Sequence, residues 1–181
     1  ECSEAAMKQA LDIGADGVIV PAVNSVEQAR DVVRWCKFPP MGVRGVGLAR
    51  ANGYGLTFAD YMANANNDTL VVIQVEHIDA VNDIEAIADV DGIDCVFIGP
   101  YDLSASMDLM GQVTHPDVLA AIARVGDVCN AKGVALGYFG VDVDAVSPYR
   151  DAGFGLICAG TDASWLIGNV QDAMQSLKKS S

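Results

Sequence analysis

Four times along this chain a helical stretch closes on a glycine, and a short apolar run follows within a few residues. Gly14 leads to Gly17–Val20, Gly92 to Cys95–Ile98, Gly133 to Val134-Ala135-Leu136, and Gly153 to Leu156–Ala159. A glycine past the last helical turn supplies the left-handed residue that sends the chain back. Short β-branched runs with little alternation read as parallel strands buried on both faces. Leu70–Val75 makes a fifth run. Between the runs, apolar residues recur at helical spacing: Val26, Ala29, Val33, Cys36; Val118, Ile122, Val125, Cys129; and Leu166, Val170, Ala173, Leu177. Each stripe is expected to face the sheet. Ser25 with Gln28 three residues on predicts a capping box, and His115-Pro116-Asp117 places a proline at the first helical position. The alternation predicts an α/β domain with a parallel sheet over the whole span 1–181. Its one long loop opens at Pro39-Pro40 and runs to about Thr57.

A flavodoxin-like sheet and part of a TIM barrel share this grammar, and the placement of polar residues separates them. In a barrel they gather at the C-terminal ends of several strands. Here strand after strand ends that way, at Pro21-Ala22-Val23-Asn24, Gln74-Val75-Glu76, Gly99-Pro100-Tyr101-Asp102, Gly137-Tyr138-Phe139 and Gly160-Thr161-Asp162. The expectation is a TIM-type (β/α)8 barrel of which this chain supplies about five units.

Glu76 ends an otherwise apolar strand, and Asp102 sits just past the next one. Neighbouring parallel strands lie about 4.8 Å apart, so carboxylates at adjacent ends can reach one cation. Carboxylate oxygens suit Mg²⁺, Mn²⁺ or Co²⁺, with positions left for water and a chelating substrate. The plainer alternative is that each acid caps the following helix, which fits Asp better than Glu. Gln74 alternates onto the same face as Glu76, and two inward polar residues at a buried strand's end point to a site.

Charge and composition narrow the classes further. With 24 acidic against 11 basic residues the net charge is −13, which repels nucleic acid and anionic lipid. No eighteen-residue apolar run is present, so no membrane span is expected, and the first residues show no secretory pattern. Five cysteines without a C-x-x-C spacing predict buried, reduced thiols in a cytoplasmic protein. A Schiff-base aldolase needs a lysine on a strand, whereas Lys8, Lys37, Lys132, Lys178 and Lys179 fall on helices or their ends. Gly45-Val46-Gly47 opens no helix after a strand, so it reads as a flexible loop rather than a nucleotide cradle.

Three segments resemble a known family: Val72-Ile73-Gln74-Val75-Glu76, the stretch Val96-Phe97-Ile98-Gly99-Pro100-Tyr101-Asp102-Leu103-Ser104, and Pro39-Pro40-Met41-Gly42-Val43-Arg44-Gly45. They look like the class II 2-oxo acid aldolases, the 4-hydroxy-2-oxoheptanedioate and 2-keto-3-deoxy sugar-acid enzymes and macrophomate synthase. The resemblance covers nearly the whole chain, from Leu11-Asp12-Ile13-Gly14-Ala15 onward. It implies cleavage of 4-hydroxy-2-oxo acids to pyruvate and an aldehyde through a metal-stabilised enolate, in a homo-oligomer arranged as a hexamer, a trimer of dimers. It assigns the metal to Glu76 and Asp102. Substrate contacts fall to Gln74, Pro100, Tyr101, Asp102 and Phe139, the ligand being pyruvate or an oxalate-like 2-oxo acid. Asp12 matches an acid that tunes a catalytic histidine.

The chain also departs from that pattern. The family's base histidine and an enolate-steadying arginine belong to strands ahead of this sequence, and the only histidines here, His77 and His115, read as helix-capping or packing residues. Tyr101 stands where small residues are common in the family. Arg44 and Arg50 could meet an anionic substrate or pair at a subunit contact, and the contact is favoured. Two other readings stay open: a citrate-lyase-β-like or malyl-CoA-type lyase, and a non-catalytic metal-binding fragment without the base.

Overall fold

The computed structural model describes residues 2–179; Glu1, Ser180 and Ser181 of the expected domain lie outside it. Helices and strands alternate: α1 (Glu4–Asp12), β1 (Gly17–Val20), α2 (Val26–Cys36), a 3-10 stretch Arg50–Gly55, α3 (Phe58–Asp68) and β2 (Leu70–Val75). There follow α4 (Ile78–Asn82), α5 (Ile84–Ala88), β3 (Cys95–Ile98), α6 (Pro100–Ser106) and α7 (Pro116–Lys132). The chain ends with β4 (Ala135–Gly140), α8 (Val143–Asp151), β5 (Leu156–Ala159) and α9 (Asp162–Lys179).

The five strands form one parallel sheet in sequence order. Strands added one after another in the same direction, each with the usual twist, curl the sheet. Ile19 of β1 and Leu156 of β5 accordingly line the same cavities across the sheet's inner face. The architecture is a half-barrel with helices on its outer side. Alternation sorts each strand's side chains between the two faces. Val71, Ile73 and Val75 of β2, with Val96 and Ile98 of β3, point outward and are fully buried against the helices. Val72, Cys95 and Phe97 point inward and form a smaller cluster with Phe139 and Cys158.

Two of the three expected helix stripes pack as their period requires. Ala29, Val33 and Cys36 of α2 and Val118, Ile122, Val125 and Cys129 of α7 are buried. The third does not face the sheet. In α9, Leu166 is 67% exposed and Val170 55%. The capping box at Ser25 forms by half: Ser25 Oγ accepts the Gln28 N–H, but Gln28 reaches back to the N–H of Asn24. Pro116 occupies the first turn of α7. No helix among the described residues is long and apolar enough to cross a membrane. All five thiols are free, and burial pushes Cys36 and Cys95 up to about 11 and Cys129 to about 12.

Candidate active site

The polar strand ends meet on one rim of the half-barrel. Glu76 follows β2 directly, half-buried, and both of its oxygens are engaged. Oε1 accepts the backbone N–H of Ala22, just past β1, at 2.8 Å, and Oε2 accepts from the Gln74 side-chain amide. Gln74 and Glu76 share the inner face by the two-residue period, as their sequence predicts. Burial pushes the Glu76 carboxyl above its ordinary value and the nearby Asp102 charge adds to this, while the hydrogen bonds from Ala22 and Gln74 work against it.

Asp102 lies in the first turn of α6, whose N-terminus is set by Gly99 and by Pro100 at its first position. Its carboxylate is exposed and makes no hydrogen bond or ion pair among the described residues. It is therefore not a helix cap, and the capping alternative fails for Glu76 as well, whose two donors lie just past β1 and on β2. Two serines fix this corner. Ser104, fully buried, donates to the Tyr101 carbonyl at 2.7 Å and accepts the Gly111 N–H. Ser106 accepts the Ile78 N–H at 2.9 Å, tying the segment after Glu76 to the helix that carries Asp102.

A cavity of about 480 Å³ opens on the inner face beside Asp102, and Glu76 is not among the residues that line it. Gln74, Gly99, Pro100, Tyr101, Asp102 and Phe139 form its upper wall, and its floor is apolar. Tyr101 and Phe139 meet edge to face, with ring centroids 6.4 Å apart. Five expected substrate contacts are thus brought together beside Glu76. No basic side chain is among the residues that line the cavity.

Other expected residues lie elsewhere. Asp12 ends α1 and precedes β1, whereas Glu76 bonds to Ala22 beyond the other end of β1, so the two acids sit at opposite ends of that strand. Asp12 pairs with Lys8 at 2.5 Å and with Arg44 at 2.9 Å. Arg44 is buried, lies 4.6 Å over the Phe38 ring, and thus meets neither a substrate nor a surface contact. The loop around it is pinned: Lys8 donates to the Gly45 carbonyl, and Asn52 to that of Gly47. Both histidines cap helices, each accepting through Nδ1 the N–H two residues on. Ala22, Gly99, Ser104 and Ser106 are the residues that sequence reasoning did not assign. Only Gly99, a glycine directly after a buried strand, carried a visible signal.

The residues present fit a divalent cation. The Asp102 charge lies near enough to raise the cost of charging Glu76, the donors are hard oxygens, and among the described residues no cationic side chain pairs with either acid. Among the described residues no group of three or more His, Cys, Asp or Glu side chains gathers to hold a metal, so water and substrate would complete the coordination.

Comparison with known proteins agrees with this arrangement. Hydroxypyruvate/pyruvate aldolase of Paraburkholderia phytofirmans is 36% identical over 95% of this chain and 68% of its own length. The 2-keto-3-deoxy-L-rhamnonate aldolase of Klebsiella pneumoniae is 42% identical over 90% of this chain and 61% of its own. The crystal structure of a HpcH/HpaI aldolase/citrate lyase family protein from Burkholderia cenocepacia superposes with a TM-score of 0.93 at 38% identity, over 98% of this chain and 70% of that one. This chain thus spans between 61% and 70% of these three proteins. The family model for HpcH/HpaI aldolase/citrate lyase matches residues 1–168, and the chain belongs to that family.

Proposed function

We propose that this chain is the cation- and 2-oxo-acid-binding part of a cytoplasmic carbon–carbon lyase that cleaves 4-hydroxy-2-oxo acids to pyruvate and an aldehyde. One observation carries the reading: Glu76 and Asp102 follow the ends of neighbouring strands, beside a cavity lined by Asp102 and Gln74 with no basic side chain in its wall. The relatives named as pyruvate and keto-deoxy sugar-acid aldolases support it. The curled sheet fits five units of a (β/α)8 barrel, with the rim at the C-terminal strand ends as its active face.

A Mg²⁺, Mn²⁺ or Co²⁺ ion held by Glu76 and Asp102 supplies a Lewis acid for the carbonyl of the 2-oxo acid. The remaining work falls to the chain's own groups. The N–H groups of Tyr101 and Asp102, in the first turn of α6, have no acceptor within the helix and can take the substrate carboxylate. Gln74 orients an oxygen of the ligand from the side of β2. Tyr101 and Phe139 screen the reacting carbons from water. No histidine or lysine lines the cavity. General-base help, worth about 10²–10⁴ in rate, must therefore come from outside this wall. Asp12, bound by Lys8 and Arg44 at the far end of β1, is the acid that would tune a base histidine that these residues do not supply.

Glu76→Gln removes one of the two charges and keeps the shape. Calorimetric titration with Mn²⁺ should show binding lost, with the secondary structure by circular dichroism unchanged. A variant that binds Mn²⁺ as tightly as the parent would remove Glu76 from the site.

A further inference from the structure

Glu76 is held from both neighbouring strands. On the β1 side, Ala22 donates its N–H to Oε1 at 2.8 Å from φ 57, a left-handed backbone that residues with a side chain seldom adopt. On the β3 side stands Gly99. Its own φ of −100 and ψ of 89 are open to any residue, so the backbone does not ask for glycine there. The space above it does. A Cβ at Gly99 would lie 2.8 Å from Gln74 Nε2, 3.0 Å from Glu76 Oε2 and 3.1 Å from Glu76 Cβ. The Gln74 amide is the free end of a flexible side chain and can swing aside, but the Glu76 Cβ is fixed to its backbone and would have to give by a few tenths of an ångström. Gln74 and Glu76 therefore lean over the bare Cα of Gly99, and the residues after Gly99 open α6 and lead to Asp102.

We infer that Gly99 is a positioning residue, whose missing side chain lets Glu76 and Gln74 cross β3 and present the Glu76 carboxylate beside Asp102. The inference rests on the cation reading above and adds a residue that makes no polar contact of its own. With a methyl at this place, the Gln74 amide must swing aside and release Glu76 Oε2, and Glu76 must shift by a few tenths of an ångström. The carboxylate then loses the partner that orients it toward Asp102. The fold itself has little at stake, because the crowded atoms belong to two half-buried side chains at the open rim.

The test is Gly99→Ala in the full 181-residue chain, read by Mn²⁺ calorimetry and by thermal unfolding in EDTA. The expected result is Mn²⁺ affinity weakened by about 10–100-fold, the range for residues that orient a metal ligand, with unfolding in EDTA unchanged. Parent-like Mn²⁺ affinity would overturn the inference. If Gly99→Ala unfolds early in EDTA, Gln74→Ala is added to remove the group nearest the new methyl. The double variant should regain the parent's unfolding but not its Mn²⁺ affinity, and recovery of both would also overturn the inference. Glu76→Gln separates the two levels. Loss of Mn²⁺ there, with binding kept in Gly99→Ala, sinks the role of Gly99 alone. Binding kept in both sinks the cation reading as well.

Discussion

Arg44 has one hand on Asp12 and its other nitrogens, Nε and Nη1, buried without a partner among the described residues. The sequence leaves Arg44 a choice between substrate and subunit contact; its burial among Phe38, Tyr61 and Asp12 decides against both. Burial pushes the Asp12 carboxyl up, but the hydrogen bonds from Lys8 and Arg44 outweigh it and hold the carboxyl below the usual aspartate value. A carboxyl lowered on folding contributes stability above its unfolded pKa and loses it as pH falls through the folded one. Asp12→Asn should therefore cost about 1–3 kcal/mol near neutral pH, since it leaves a buried guanidinium without its counter-charge. The deficit against the parent should shrink as pH falls below the ordinary aspartate range of about 4 and on through the lower value of the folded carboxyl. Denaturant unfolding at several pH values checks this, and equal stability of the two proteins at pH 7 would contradict it. At this scale the site is half legible in sequence. Glu76, Gln74 and Asp102 stand out because a polar residue at the end of a buried strand needs a reason. Ala22 does not, because it acts through its backbone, and Gly99 shows only as a glycine after a buried strand, with nothing to say which side chains need the space.

The strands are legible because a run buried on both faces has a composition of its own, and β1, β2, β3 and β5 fall where their apolar runs lie. β4 extends beyond its run, to Gly140, since Gly137 interrupts the apolar pattern without breaking the ladder. Its glycine answers to a neighbour: a Cβ on Gly137 would lie 2.5 Å from the Phe97 ring, so Phe97 fills the inner face at that point. Helix α9 shows the opposite limit. Its 3.6-residue stripe is as regular as those of α2 and α7, but periodicity states that a face is apolar and not what covers it. The loop from Pro39 to Thr57 reads as flexible from its glycines. Long-range bonds from Lys8 and within-loop bonds from Asn52 hold it, and neither is visible as a local pattern.

On the scale of the molecule, two sheet edges and two apolar surfaces stand open. β1 and β5 each pair on one side only. The inner face leaves Ile19 52% exposed, and α9 presents Trp165, Leu166, Ile167 and Val170 to solvent. Apolar patches of this kind mark association surfaces, and we propose that the chain assembles with further copies of itself. Light scattering should give a mass above the 19.0 kDa of one chain, and a stable monomer would contradict the proposal. The rim borders the inner face, since Gln74 and Asp102 line a cavity with Ile19, and Glu76 is held by Ala22 just past β1. Its central claim is one cation shared by Glu76 and Asp102 that carries a 2-oxo acid. The most direct measurement is calorimetric titration of oxalate into the Mn²⁺-loaded chain, repeated with EDTA in excess. Saturable oxalate binding that disappears with EDTA is the predicted result. Oxalate binding indifferent to EDTA would contradict it.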